Sequence, residues 1–312
     1  MSITSKQSRS IYQRWFWPFV IPAMVLFIMV IVIPFVVGVF NSFVVWRGSY
    51  YFNPVTRTRA VSAFEAFVGF TNYKAALQDE RFLQALGYTV RFTLIAVVVI
   101  NVVSLCLALL ITRITSTLAG VFRTIFFLPN MLGGLALGYI FQFVFQIIFT
   151  DLIFGPEGLI HIEAFRYMTQ DSTKALFALV LLYTWQSAGY MMLIYVAGLN
   201  TIPVDYYEAA SIDGSSPWHT FWKITVPMLM PSFTIVFFMT LSGSFKLLDQ
   251  NVALTNGDFN TRMLAFQILQ TVRDTNPPDY GKGQAQAVIF FIIVAVISLT
   301  QVYLTKRKEL EA

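Results

Sequence analysis

Four side chains in the segment "YTWQSAGY" have the types and spacing to hold a solute. Tyr183, Gln186, Ser187 and Tyr190 recur at steps of three, one and three residues, so on an α-helix they form one stripe. Two phenols, an amide and a hydroxyl offer donors and acceptors beside flat apolar rings. A polyhydroxylated molecule needs that combination, hydrogen bonds for its hydroxyls and an aromatic surface for its C–H faces. The same stripe serves equally for helix–helix packing, with Gln and Ser bonding across a bundle. Ser244, Phe245 and Leu248 close another apolar run and extend the candidate set, while Lys246 and Asp249 read as an interfacial pair or as snorkelling anchors. Buried polar groups without partners cost about 1–3 kcal/mol each, so polar side chains inside apolar runs need a purpose.

Catalytic chemistry finds little support. The single cysteine, Cys106, lies in an apolar run, so neither a disulfide framework nor a cysteine metal cluster can form. His161 and His219 are far apart and lack ligand-like neighbours. "GKG" at Gly281–Gly283 lacks the upstream glycine and the Ser/Thr of a phosphate-binding loop, so ATP hydrolysis by that route is excluded. Basic residues are scattered, with no stripe that would follow a nucleic acid. No metal and no cofactor is expected in this chain.

The elements that position these residues are membrane spans. Of 312 residues 57% are hydrophobic and 12% charged, about half the charge of a soluble domain. Six runs reach the roughly 20 residues a helix needs to cross a bilayer: Phe16–Val45, Phe92–Thr112, Thr124–Phe149, Ala175–Leu199, Met228–Leu248 and Ala285–Leu304. Pro22, Pro34 and Pro129 predict kinks. Lys6, Arg9 and Arg14 precede the first run, which is too long for a signal sequence and has no A-x-A cleavage pattern, so it is read as an anchor. Six crossings put both termini on one side. The tail "KRKELEA" and the two arginines of the short Arg113–Arg123 connection place that side in the cytoplasm, although the longer external loops carry more Lys and Arg in total. The organisation is then a tail over 1–15, a six-span domain over 16–304 and a basic tail over 305–312. Arg81 and Arg91 read as interface anchors, and Asn130 with Gly133 and Gly134 as a close-packed kink.

Between the fourth and fifth runs, residues 200–227 are too polar to face lipid. Thr201 as N-cap, Pro203 in the first turn, Asp205 at the positive end of the dipole and Gly214 as stop predict one short helix. Ser216 as N-cap with Pro217 at the first helical position predicts a second. Ala209 and Ala210 would let another surface approach closely, and Tyr207 shares a face with Ser211, as Glu208 does with Ile212. The alternative is an amphipathic helix lying on headgroups, but the first helix lacks the Lys and Arg that such helices carry.

Glu208-Ala209-Ala210, Gly214 and Ile224-Thr225-Val226-Pro227 resemble the E-A-A…G…I-x-L-P signature of ABC importer permeases. "FVGFTNYKAAL", "RTIFFLPNML", "LTNGDFNTRMLAFQIL" and "YGKGQAQAVIFFIIVAVISL" extend the likeness over nearly the whole chain, and "IPVDYYEAASIDGSSPWHTF" is similar to the carbohydrate branch around the maltose permeases. One departure stands out: Leu254-Thr255-Asn256-Gly257-Asp258-Phe259 replaces the usual L-T-G-G-G-P. The resemblance implies an all-α integral membrane fold, a six-transmembrane-helix type I ABC importer permease with a cytoplasmic coupling helix. It implies that Asp205, Tyr207, Glu208, Ala209, Ala210, Asp213 and Gly214 meet a partner ATPase, which consumes ATP and Mg. It further implies sugar contacts on the Tyr183 stripe. The implied partners are a second homologous permease chain forming a heterodimer, two ATPase subunits and an external or periplasmic sugar-binding protein, at a bacterial plasma (inner) membrane and with no nucleic acid. A permease for another solute, such as glycerol phosphate or an amino acid, is the alternative. A stand-alone secondary transporter would need ion-coupling acids in mid-span.

Overall fold

Two aspartates set the frame. Asp79 accepts from the Arg81 and Phe82 amides at 3.0 and 3.4 Å and opens a helix of 32 residues. Asp171 accepts from Thr173 and Lys174 at 2.9 Å each and opens one of 30. Both aspartates satisfy N–H groups that a helix start leaves bare. The computed structural model describes residues 5–114, 116–160 and 162–308, and helix dominates it. His161, the last four residues of the basic tail and the side chains of Lys6, Arg9 and Arg14 lie outside the described residues.

In chain order, α1 (Ser5–Phe27) runs through a wide π turn into α2 (Ile33–Asn41), so from Ser5 onward the residues read as a tail are already helical. A short hairpin, β1 (Trp46–Arg47) with β2 (Tyr50–Tyr51), leads to α3 (Thr71–Leu77) and then α4 (Glu80–Ile111). Next come α5 (Ser116–Phe127), α6 (Gly134–Phe143) prolonged by a π segment to Ile153, and α7 (Ser172–Thr201). The polar insert holds α8 (Val204–Ile212) and α9 (Pro217–Thr220). A π turn, Phe221–Thr225, joins α9 to α10 (Val226–Met228), followed by α11 (Met230–Phe245). The chain closes with α12 (Asp249–Thr255), α13 (Leu264–Arg273) and α14 (Tyr280–Lys306).

Five of the spans are single helical runs, Trp15–Asn41, Glu80–Ile111, Gly134–Ile153, Ser172–Thr201 and Tyr280–Lys306. The fifth span in chain order is corrected. Instead of one rod over Met228–Leu248, the helix runs Met230–Phe245, and at its start it meets Pro217–Met228 at a bend of 69°. Pro227 and Pro231 flank the break, and Pro231 has no amide to donate to the Pro227 carbonyl across Leu229. The third span is also corrected. Pro129 sits in a 3-10 turn, Leu132 and Gly133 are extended, and the expected run Thr124–Phe149 is divided between α5 and α6. The second span begins at Glu80 rather than Phe92, because the Asp79 cap starts the helix before the apolar run does.

Met1–Ala76 with Thr271–Ile289 form one unit and Leu77–Gln270 with Phe290–Ala312 the other. In the first, Asn72 donates from Nδ2 to the Ser42 and Val44 carbonyls at 2.9 Å each, and Trp46 stacks on Tyr280 at 4.7 Å. A Cβ at Gly281 would strike the Val44 carbonyl, which gives the "YGKG" glycine a packing reason. The Trp15–Asn41 span presents exposed apolar side chains along its length, as lipid contact requires. In the second unit, α4 and α7 pack along each other through Tyr88, Phe92, Ile100, Leu179, Leu182 and Met192. α12 turns back against α6, where Gly138 leaves room for the Ala253 methyl and Gly134 for Asp249 and Gln250. Such small-residue contacts let helices approach without a hydrophobic driving force between them.

Candidate functional site

The insert closes on Gly214. Its φ of +72° is left-handed, the Ser215 amide donates to the Ala210 carbonyl at 2.9 Å and the Gly214 amide to Ser211 at 3.1 Å. This pair of bonds is a Schellman C-cap, a motif that favours glycine at the left-handed position. Ser216 then accepts from the His219 amide at 3.3 Å and starts α9, with Pro217 at the first position. The Thr201 cap is corrected. Thr201 Oγ1 donates back to the Gly198 carbonyl at 2.7 Å, so the residue ends α7, and Pro203, which has no capping side chain, takes the N-cap of α8. The second helix is also longer than expected, running through the π turn to Met228.

The residues of α8 divide into two sets. Asp205, Tyr206, Glu208, Ala209, Ile212 and Asp213 are exposed, Ile212 at 86%. Ala210 is buried, and Tyr207 turns inward, its hydroxyl 3.2 Å from Thr225 Oγ1. Behind the helix lies a cleft of about 490 Å³ bordered by Arg113, Asn200, Tyr207, Ser211, Thr220 and Thr225. Burying a helix end needs partners for its polar groups, and here they come from the insert's own caps. The exposed face keeps an isoleucine, an alanine and a carboxylate bare.

The mid-span stripe is engaged within the chain. Gln186 Nε2 donates to the Leu132 carbonyl at 3.1 Å, the acceptor freed by the break in the third span, and Gln186 Oε1 accepts from Gln250 Nε2 at 2.7 Å. Tyr183, Ser187, Ser244 and Phe245 are buried, Leu248 and Tyr190 half-buried, and Tyr190 lies 6.3 Å from the Phe127 ring. Among the described residues no ion pair joins Lys246 to Asp249; Lys246 is exposed and Asp249 opens α12.

A second polar node went unread in the sequence. Asn101 Oδ1 accepts from the Tyr195 hydroxyl at 2.7 Å, and Asn101 Nδ2 donates to Thr240 Oγ1 at 3.1 Å, tying α4, α7 and α11 together. All three side chains are buried. A lone Asn in the run "AVVVINVVSL" was the available signal, since an amide in hydrocarbon needs a partner.

Broken spans, a capped polar insert and buried polar nodes define a multi-pass membrane transport subunit. Residues 100–309 match the family described as binding-protein-dependent transport system inner membrane component, and the chain belongs to it. It is therefore a permease component rather than an enzyme. It is 38% identical to the probable starch degradation products transport system permease protein AmyD of Thermoanaerobacterium thermosulfurigenes, over 95% of this chain and 96% of that one. It is 32% identical to the multiple sugar-binding transport system permease protein MsmF of Streptococcus mutans, again over 95% and 96%. A solved bacterial ABC transporter that imports the acidic polysaccharide alginate shares the fold, with a TM-score of 0.74 at 17% identity over 97% of this chain and 99% of that one.

Proposed function

We propose that this chain is one of two pore-forming subunits of an ATP-driven importer for a sugar or oligosaccharide, with α8 as the helix that its motor grips. A second, homologous permease chain would complete the pore. Two cytoplasmic ATPase subunits would consume ATP and Mg, and an external binding protein would deliver the solute, with both termini of this chain cytoplasmic. The observation that carries the reading is the bare face of α8, with Glu208, Ala209 and Ile212 exposed beside a glycine-dependent turn. An exposed helix of this kind fits a helix-in-groove contact, with the carboxylate available for a charge-assisted bond. Two relatives whose names refer to starch products and multiple sugars support the solute class. Tyr183, Gln186, Ser187 and Tyr190, with Ser244, Phe245 and Leu248, are the proposed solute contacts. In the present arrangement Gln186 is bonded to the Leu132 carbonyl and to Gln250, and Tyr183, Ser187, Ser244 and Phe245 are buried, so solute contact requires a second conformation.

Gly214→Asp tests the coupling half. The left-handed backbone costs a residue with a Cβ up to about 1–2 kcal/mol, less for Asp and Asn, and Asp adds a second carboxylate beside Asp213, so uptake and ATPase association should both fall, with membrane insertion intact. Gly214→Asn, of the same shape without the charge, should lose less. Full association and full uptake in the Asp variant would overturn the role of the insert.

A further inference from the structure

The segment after the docking helix carries an unpartnered aromatic face. Trp218 is 71% exposed and Trp222 51%. Their rings lie 5.7 Å apart at 77°, and Phe221 packs edge-on to Trp222 at 5.2 Å. A π turn over Phe221–Thr225 follows α9, and along both residues four apart are neighbours on the helix surface. Three columns result. Phe221 and Thr225 face the cleft behind α8, Trp218 and Trp222 form the next column, and His219 and Lys223, both exposed, form the third.

We infer that Pro217–Met228 lies in the membrane interface, with Trp218 and Trp222 seated among lipid headgroups as the fixed end of the lever. The orientation follows from the bend. Pro217–Met228 and Met230–Phe245 are apolar enough together for a span and meet at 69°, so if Met230–Phe245 stands near the bilayer normal, the segment before it runs close to the membrane plane. Ile235 and Phe238 of that span expose apolar side chains, as lipid contact requires, while Leu229 at the bend is buried. Indoles favour this depth because their rings are apolar and their N–H groups still reach water or phosphate. Lys223 and His219, one column further round, meet the aqueous side, and Lys223 adds attraction for anionic headgroups. α8, with no Lys or Arg, lacks this signature. The insert thus pairs a water-facing docking helix with a lipid-anchored one.

The test uses the assembled importer in vesicles of phosphatidylethanolamine and phosphatidylglycerol. Cys106→Ser removes the chain's one cysteine. Trp218→Cys, Trp222→Cys and, as a reference, His219→Cys are introduced singly and labelled with an environment-sensitive dye. At 218 and 222 the emission should be blue-shifted and quenched several-fold more by lipid carrying a shallow nitroxide than by aqueous iodide, with the reverse at 219. A Trp218→Ser/Trp222→Ser double variant should keep ATP hydrolysis and lose several-fold in solute moved per ATP. Iodide-dominated quenching at 218 and 222, or protection that appears only when the ATPase subunits are added, would overturn the inference. The second result would assign the aromatic face to the motor instead. Because α8 docking is read from Gly214 variants, the two proposals fail separately.

Discussion

Replacing Asn101 by leucine should cost more than the bonds it breaks. The substitution removes two interhelical hydrogen bonds, to Tyr195 at 2.7 Å and to Thr240 at 3.1 Å. In a bilayer such bonds contribute about 0.6 kcal/mol each, because the separated helices find other partners. The larger effect is on what remains. Tyr195 is fully buried, so its hydroxyl would be orphaned at a cost of about 1–3 kcal/mol. Thr240 escapes, since it also donates to the Val236 carbonyl at 2.8 Å. Allowing for better packing by leucine, Asn101→Leu should destabilise the chain by about 2 kcal/mol. Tyr195→Phe alone orphans the Asn101 carbonyl oxygen and should cost about 1–2 kcal/mol. The double variant leaves no orphan on either side, so its cost should fall below that of Asn101→Leu alone. The assay is thermal unfolding of the importer in nanodiscs, followed by intrinsic fluorescence for wild type, both singles and the double. A double variant whose loss equals the two single losses added together would show that the pair is not one unit and refute the reasoning.

Two further expectations concern the solute and the turn after α12. Tyr190→Ala should weaken uptake by roughly fivefold in half-saturation, the equivalent of about 1 kcal/mol of aromatic contact, without changing subunit assembly; unchanged transport kinetics would remove the fourth-span stripe from the site. Asn256 ends α12 with φ of +51°, so Asn256→Val should lower the unfolding temperature by the equivalent of about 1–2 kcal/mol while Asn256→Gly stays near wild type. Equal melting of the two variants would show that the left-handed turn is not under conformational constraint.

The turn after α12 also shows how far the sequence could be read. Where the signature it resembles has successive glycines, this chain places Asn256, Gly257, Phe259 and Asn260 in left-handed conformations. The departure was visible in the residue types, but the backbone it produces was not, because only Gly257 and the two asparagines announce such angles. The spans were legible, since each is an apolar run near the length of a bilayer helix. The breaks were harder to read. Proline marks a weak point in a helix, and whether it kinks, ends or opens the helix depends on the neighbours that receive the freed carbonyl. Gln186, 54 positions away, receives Leu132 here. Likewise Thr201 and Pro203 both signal a helix start, and the hydroxyl's bond back to Gly198 decides between them. Asn101 and Tyr195 are separated by 94 positions, and nothing local pairs them.

Force applied at α8 has a short physical path into the bundle. Tyr207 ties α8 to Thr225, Thr225 sits in the π turn, and that turn precedes the 69° bend from which α11 carries Thr240 into the Asn101 node. The elements of the path on either side of the bend are held by hydrogen bonds: a helix closed by its C-cap, a helical run and a buried amide with both ends engaged. A displacement of α8 must then be absorbed where regular bonding is interrupted, at Leu229 between the two prolines, as hinges take up change at element ends. Spatial continuity does not by itself amount to energetic coupling. The Asn101–Tyr195 cycle supplies the missing quantity, because a node whose members act independently cannot hold α4, α7 and α11 as the body against which such a hinge turns.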